Sequence, residues 1–171
     1  AGLHLPDFRA GEHTYHTLMD ATALARPARL EGRVVLQTLL PTHYVIQAVA
    51  NQDPALFYKQ ELAFRRALAY PPWTHLISLR VSGIGLDRTK QAAAHWAERL
   101  KAMGPQQLTV WGPIPSAVAR LRGKYRWQII VKSSEADIAR QSVQKTLDEL
   151  ETRPGLSGVK FEVDVDPIST L

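Results

Sequence analysis

The feature that most constrains this chain is strict two-residue alternation that recurs in its last hundred residues, interrupted twice by helical periodicity. Val159, Phe161, Val163 and Val165 alternate with Lys160, Glu162, Asp164 and Asp166. Ile77, Leu79 and Val81 alternate in the same way with Ser78, Arg80 and Ser82, and Trp127, Ile129 and Val131 share a third such face. Successive side chains of a strand point to opposite sides, so each segment predicts a strand with one dry and one wet face. Another strand is expected over Leu108–Trp111, resuming beyond Gly112-Pro113. Between the strands, Asp87 caps a predicted helix carrying Ala93, Trp96, Ala97 and Leu100, closed by Gly104-Pro105. Ser134 and Asp137 form a capping-box signal for a second helix with Ala139, Val143, Leu147 and Leu150 inward. The order is strand, helix, strand, strand, helix, strand. Alternation argues an antiparallel sheet with helices on one side, and right-handed crossovers leave the α+β split-βαβ, or ferredoxin-like, sandwich over residues 74–171.

The first 73 residues read differently. Glu12 to about Ala25 predicts a helix, and Arg33–Thr38 (RVVLQT) a short buried strand. Thr42–Asn51 is helical in pattern. Asp53-Pro54 then starts another helix with a capping residue and proline at its first position. That helix spaces Leu56, Phe57, Ala63, Phe64, Ala67 and Leu68 along one side, pairs Glu61 with Arg65, and stops at Pro71-Pro72. Residues 1–38 therefore form the end of another unit and residues 39–73 a helical connector. The opening Ala1-Gly2-Leu3 suggests a piece of a longer protein.

At 171 residues the chain can bury a core without staples, and it contains no cysteine. Disulfides, zinc ribbons, iron–sulfur clusters and thiol nucleophiles are excluded, and a reducing, cytoplasmic setting is expected. Its apolar runs, such as Ile129-Ile130-Val131, are far short of the ~20 residues of a membrane span.

Charge locates the candidate function. The net charge is +5, but residues 74–132 carry 10 basic and 2 acidic side chains, whereas residues 133–171 carry 4 and 8. Concentrated positive charge attracts polyanions. Its densest stretch is Arg120-Leu121-Arg122-Gly123-Lys124-Tyr125-Arg126-Trp127. Four cations at alternate positions fall on one side of an extended chain, and Gly123 permits a turn and close approach to a phosphate. Tyr125 and Trp127 then face the core. Arg120, Arg122, Lys124, Arg126 and Lys132 are the expected DNA-binding residues; the competing reading is a solvated hairpin edge protected by charge.

Other chemistry lacks its parts. An RNA-recognition module shares this strand order but needs an aromatic in mid first strand, and Leu76-Ile77-Ser78-Leu79-Arg80-Val81 has none. His13 and His16 stand three apart without a third ligand, and Asp164 with Asp166 offers too few oxygens for a hard cation. No GxxxxGK[ST], GxSxG or HExxH occurs. An acylphosphatase-like enzyme would, by resemblance, need an asparagine beside its arginine, and Asn51 lies outside the sandwich. No catalytic residue, metal or cofactor is expected in this chain.

Several segments in series resemble one family, the C-terminal region of primosomal protein N′, the PriA replication-restart helicases. They are Leu5-Pro6-Asp7-Phe8-Arg9 with Glu12, Val34-Val35-Leu36-Gln37-Thr38, Phe57 through Glu61-Leu62-Ala63 to Arg65-Arg66, Tyr70-Pro71-Pro72-Trp73, Gly112-Pro113, Arg126-Trp127-Gln128 and Asp164-Val165-Asp166-Pro167. The resemblance implies that residues 1–38 finish the second helicase lobe and that a ferredoxin-like C-terminal domain follows. It also implies that branched or single-stranded DNA, the acidic tail of the single-stranded DNA-binding protein, and primosome or helicase-loading proteins are the partners. Arg140 is the candidate contact for that tail, although the family's contact position aligns with its neighbour Ala136. The chain departs from the family at helicase motif VI, of the form QVAGRAGR. Here Asp20-Ala21-Thr22-Ala23-Leu24-Ala25-Arg26-Pro27 stands in its place: the glutamine falls on Asp20 and the two arginines on Leu24 and Pro27, with Arg26 reachable only by a one-residue slip. Such arginines stabilise charge on a transferring phosphoryl group. The expectation is a DNA-binding and partner-docking module whose parent has lost ATP-driven unwinding. The rivals are an RNA- or ribosome-associated module, a structural clamp that never touches DNA, and part of an active helicase.

Overall fold

The computed structural model describes residues 2–25, 32–103 and 108–170. The chain divides into two compact units, Ala1–Leu68 and Ala69–Leu171.

The first unit is helical. After a short 3-10 turn at Gly2–His4 it contains α1 (Ala10–Ala23), α2 (Tyr44–Ala50) and α3 (Pro54–Ala67). The Asp53 carboxylate accepts from the Leu56 backbone N–H at 2.9 Å, so α3 begins as its capping residue and proline demand. Tyr15 and Phe57 stack with centroids 3.9 Å apart above Val45, Ala48 and Val49. Beside them Glu61, 4% exposed, accepts from the Tyr44 hydroxyl at 2.5 Å and from Arg65 Nε at 2.7 Å. Arg65 in turn donates to Glu12 at 2.7 Å, so the expected Glu61–Arg65 pair extends into a network joining all three helices. Residues 39–68 thus pack with the first helix.

This network makes stability pH-dependent. Burial pushes the Glu12 carboxyl up, but Arg65, aided by Arg9 and His16, more than offsets it and holds the group below the ordinary glutamate range. A lowered folded-state value contributes stability above the unfolded value, 4.5, and loses it as pH falls through the folded one. Hydrogen exchange of α1 and α3 amides, corrected for intrinsic rates, is expected to accelerate between about pH 5 and pH 3 in the native chain and much less in Glu12→Gln.

One expectation for this unit fails. Residues 32–38 form no strand, and Val35 is 89% exposed. A strand needs a neighbouring backbone to bond, and the described residues of this unit supply only helices. Phe64 and Leu68 are about half exposed, the buried positions of α3 being Phe57 and Glu61.

The second unit is the split-βαβ sandwich: β1 (His75–Gly83), α4 (Leu86–Met103), β2 (Leu108–Leu121), β3 (Lys124–Ser133), α5 (Ala136–Glu151) and β4 (Val159–Val165). The sheet order is β2-β3-β1-β4 with every neighbour antiparallel. Ile77, Leu79, Val81, Ile129 and Val131 face Ala93, Trp96, Ala97 and Leu100 of α4 and Ala139, Val143 and Leu150 of α5. Trp96 Nε1 donates to Thr146 Oγ1 at 3.0 Å, so even the polar atom of the largest core side chain is satisfied.

Some details differ from expectation. The second face of β1 is not wet. Ser78 and Ser82 are buried, Gln128 Nε2 donates to Ser78 Oγ at 3.1 Å and to the Thr170 carbonyl at 2.9 Å, and the C-terminal residues thereby cover mid-sheet. Asp87 lies in the first turn of α4 and does not cap it. The Ser134–Asp137 capping box does not form: Glu135 occupies the cap position, its N–H donating to Ser133 Oγ, and Asp137 accepts from Arg140. Gly104-Pro105 lies outside the described residues.

Strand β2 bends at Gly112, which has φ +98°; a Cβ there would stand 2.7 Å from the Gln128 carbonyl oxygen. Gly112→Ala combines a left-handed backbone penalty with a clash against backbone. A loss of about 2–3 kcal/mol in urea unfolding is expected, read with a tryptophan signal.

Candidate nucleic-acid interface

The hairpin between β2 and β3 closes through Arg122 and Gly123, with φ +49° and +79°. Two consecutive positive φ values define the tight turn that matches strand twist. The turn also overturns the expected convergence of four cations. Leu121 stands opposite Lys124, and Arg120 opposite Tyr125. Cross-strand partners share a face, so Arg120 lies with Tyr125 on the helix-covered side, its guanidinium 5.1 Å from the ring centroid. Lys124 and Arg126 point to the other face, and Arg122 occupies the tip. Alternation holds only while the chain stays extended. Among the described residues, no carboxylate lies within 4.0 Å of a charged nitrogen of Arg120, Arg122, Lys124 or Arg126.

Lys132 is corrected outright as a phosphate contact. It is 3% exposed, its ammonium 3.5 Å from the Tyr70 centroid and 4.1 Å from that of Trp111. Burial pushes it below the ordinary lysine range. The ammonium thus meets the faces of two aromatic rings on the sheet instead of standing in solvent.

The strand register supplies cations that sequence reading missed. Gly83, the last residue of β1, pairs with Tyr125 on one side and with Val159 on the other, while Ser82 pairs with Arg126 and Lys160. The hairpin, the start of α4 and the loop entering β4 therefore share one end of the sandwich. Lys90 Nζ sits 5.9 Å from the Trp127 centroid, and Arg88 Nη1 donates to the Ser157 carbonyl at 3.3 Å. Arg153 precedes Gly155 in the same loop. The result is a basic pole built from three connections, with Arg88, Lys90, Arg153 and Lys160 added to the hairpin cations. Lys160 spends part of its charge on Glu162 at 2.6 Å, and Arg80 lies 4.0 Å from the same carboxylate. The sequence signal was the position of these cations just beyond predicted element ends, which pairing alone turns into proximity.

Arg140 stands at the other end, roughly 25 Å away along β1. It is half exposed and held by its own helix, to Asp137 at 3.1 Å and the Ala136 carbonyl at 3.3 Å. It lines a cleft of about 330 Å³ whose walls include Ile77, Val143, Val163 and Val165. Of the motif VI positions, Asp20 lies exposed on α1 and Leu24, 88% exposed, ends that helix. Arg26 and Pro27 lie outside the described residues. His13 and His16 lie on α1, and no group of three metal-ligating side chains occurs among the described residues. No helix among them is long and apolar enough to cross a membrane.

Fold and charge together define the class as an antiparallel split-βαβ domain with one basic pole. Residues 66–168 match the Primosomal protein N C-terminal domain, and the chain belongs to that family. It is similar to proteins called Replication restart protein PriA. Identity is 35% over 170 residues with that of Treponema pallidum, covering 99% of this chain and 25% of the relative. It is 31% over 165 residues with that of Bacillus subtilis, covering 96% and 20%. It is 35% over 172 residues with that of Synechocystis, covering 98% and 20%. The chain thus spans a quarter or less of the length of these relatives.

Proposed function

We propose that this chain is a non-catalytic DNA-contacting and partner-docking region of a replication-restart protein, with the basic pole resting on the phosphates of branched or single-stranded DNA. The observation that carries the reading is the register of β1 with both neighbours, which gathers hairpin, helix-start and loop cations at one end. Phosphates are the same in every sequence, so affinity is expected to carry little base preference and to fall steeply with salt. Anisotropy of a labelled forked duplex between about 50 and 200 mM salt tests this, since each neutralised phosphate adds about 0.9 to the log–log slope. A flat dependence, or stronger binding of structured RNA at matched salt, contradicts it and favours the RNA-associated reading.

Docking of the acidic tail of a single-stranded DNA-binding protein, and of primosome or helicase-loading proteins, belongs to the same proposal. What supports a site at Arg140 is a cation beside an apolar cleft, at the end of the sandwich away from the DNA-facing pole. Loss of ATP-driven unwinding in the longer protein is supported by Leu24 and Pro27, neither of which can donate to a phosphoryl oxygen. Full-length protein is expected to show no DNA-stimulated ATP hydrolysis above background; robust turnover on forked DNA contradicts this part alone.

A further inference from the structure

A concave site within the basic pole goes further than a surface for backbone phosphates. Between α4 and the loop leaving α5 lies a cleft of about 520 Å³, lined by Arg88, Gln91, His95 and Glu98 from α4 and by Arg153 and Gly155 from the loop. The α4 residues recur at three- and four-residue spacing, so they form one stripe facing the loop. Arg153 Nη1 meets His95 Nε2, the neutral ring accepting from the guanidinium. Arg88 donates one N–H to the Ser157 carbonyl, and the fork of each arginine carries further donors. No carboxylate lies within 4.0 Å of a charged nitrogen of either arginine among the described residues. Glu98 enters the cleft a turn of helix beyond His95, away from Arg88.

Two arginines lining one cleft suit a tetrahedral oxyanion, because each guanidinium keeps N–H donors for its oxygens beyond the one already engaged, and the His95 ring beside Arg153 senses charge seated there. We propose that this cleft binds a phosphate group, as the terminal monoester of a DNA strand running off the basic pole or as a free phosphomonoester. The strand-end form rests on the DNA-contacting reading; the phosphate site itself does not. His95 supplies an internal reporter. Burial, and then the charge of Arg153 aided by Arg99, hold it below the ordinary histidine range, with Glu98 and Glu149 opposing. Arg88 also lines the cleft. An anion seated among these groups raises the midpoint of the ring.

The test is a proton–nitrogen NMR titration of the whole chain with inorganic phosphate, following the His95 ring and the arginine Nε–H signals, beside chloride at equal ionic strength. Expected are saturable shifts at Arg88, His95 and Arg153 and an upward move of the His95 midpoint, both lost in Arg153→Met with backbone spectra otherwise retained. No saturable shift, or the same shift with chloride, overturns the site. A short oligonucleotide with a 5′-phosphate, compared with its unphosphorylated twin, separates the sources. An advantage of about fivefold that Arg153→Met removes supports the strand end, whereas equal binding with the phosphate shifts intact assigns the site to free phosphate. Arg122→Glu with Lys124→Glu keeps the two readings apart, because it weakens forked DNA while leaving the phosphate shifts in place.

Discussion

Arg122→Glu combined with Lys124→Glu is expected to weaken binding of a forked duplex about thirtyfold at 0.15 M salt, and to do so alike for every DNA sequence. The magnitude follows from counterion release. Two phosphate contacts at about 0.9 each in the log–log slope are worth roughly 1.5 decades between 1 M and 0.15 M salt. The slope itself should fall by about 2, and charge repulsion adds to the loss. Both side chains are exposed, at or beside the turn, without an ion pair among the described residues, so thermal stability should change by less than about 0.5 kcal/mol. Arg120→Glu tests a different geometry, since that guanidinium lies over Tyr125 on the helix-covered face. Its effect on DNA should be smaller than that of the pair. Equal affinities for the double variant and the native chain would remove the hairpin from the interface.

Trp96→Ala carries the second large effect, on the sandwich itself. The side chain is fully buried, meets Phe161 edge-on at 5.3 Å and satisfies its only polar atom on Thr146. Truncation of a buried tryptophan costs about 3–5 kcal/mol through lost transfer energy and an unfilled cavity. For a unit of this size that is on the order of 20 °C in melting temperature. Trp96→Phe keeps most of the ring and loses the Nε1 donor. Thr146 Oγ1 still bonds the Ser142 and Val143 carbonyls, so that variant should lose only about 1–2 kcal/mol. Calorimetry of the two variants separates volume from hydrogen bonding, and a similar small loss in both would contradict the core described for this unit.

What could be read directly from the sequence was whatever rests on local periodicity. The alternation at Ile77–Val81 and Val159–Val165 and the spacing of Trp96, Ala97 and Leu100 led to the right strands, helices and sheet order, because burial of one face imposes period two or 3.6. The Asp53-Pro54 start of α3 was equally plain, since cap and proline act within one turn. Reading failed where tertiary pairing decides. Arg33–Thr38 has strand composition but no neighbouring backbone among the described residues of its unit. Lys132 resembles the hairpin cations in sequence, yet it closes under Tyr70 and Trp111, one 62 positions before it and the other on a bulged strand. Simple alternation misplaces Arg120, because two positive-φ residues at the turn reset it. Arg88, Lys90, Arg153 and Lys160 carried no motif; only the pairing of Gly83 with both Tyr125 and Val159 makes them neighbours.

The most direct measurement is an amide chemical-shift map of this chain titrated with a short forked duplex at low salt. If the pole meets the phosphates, shifts concentrate at residues 120–126, at the start of α4 around Arg88 and Lys90, and in the loop from Arg153 to Lys160. Shifts confined to the far end, around His75, Ser133 and Asp164–Asp166, or spread evenly over both, would contradict it.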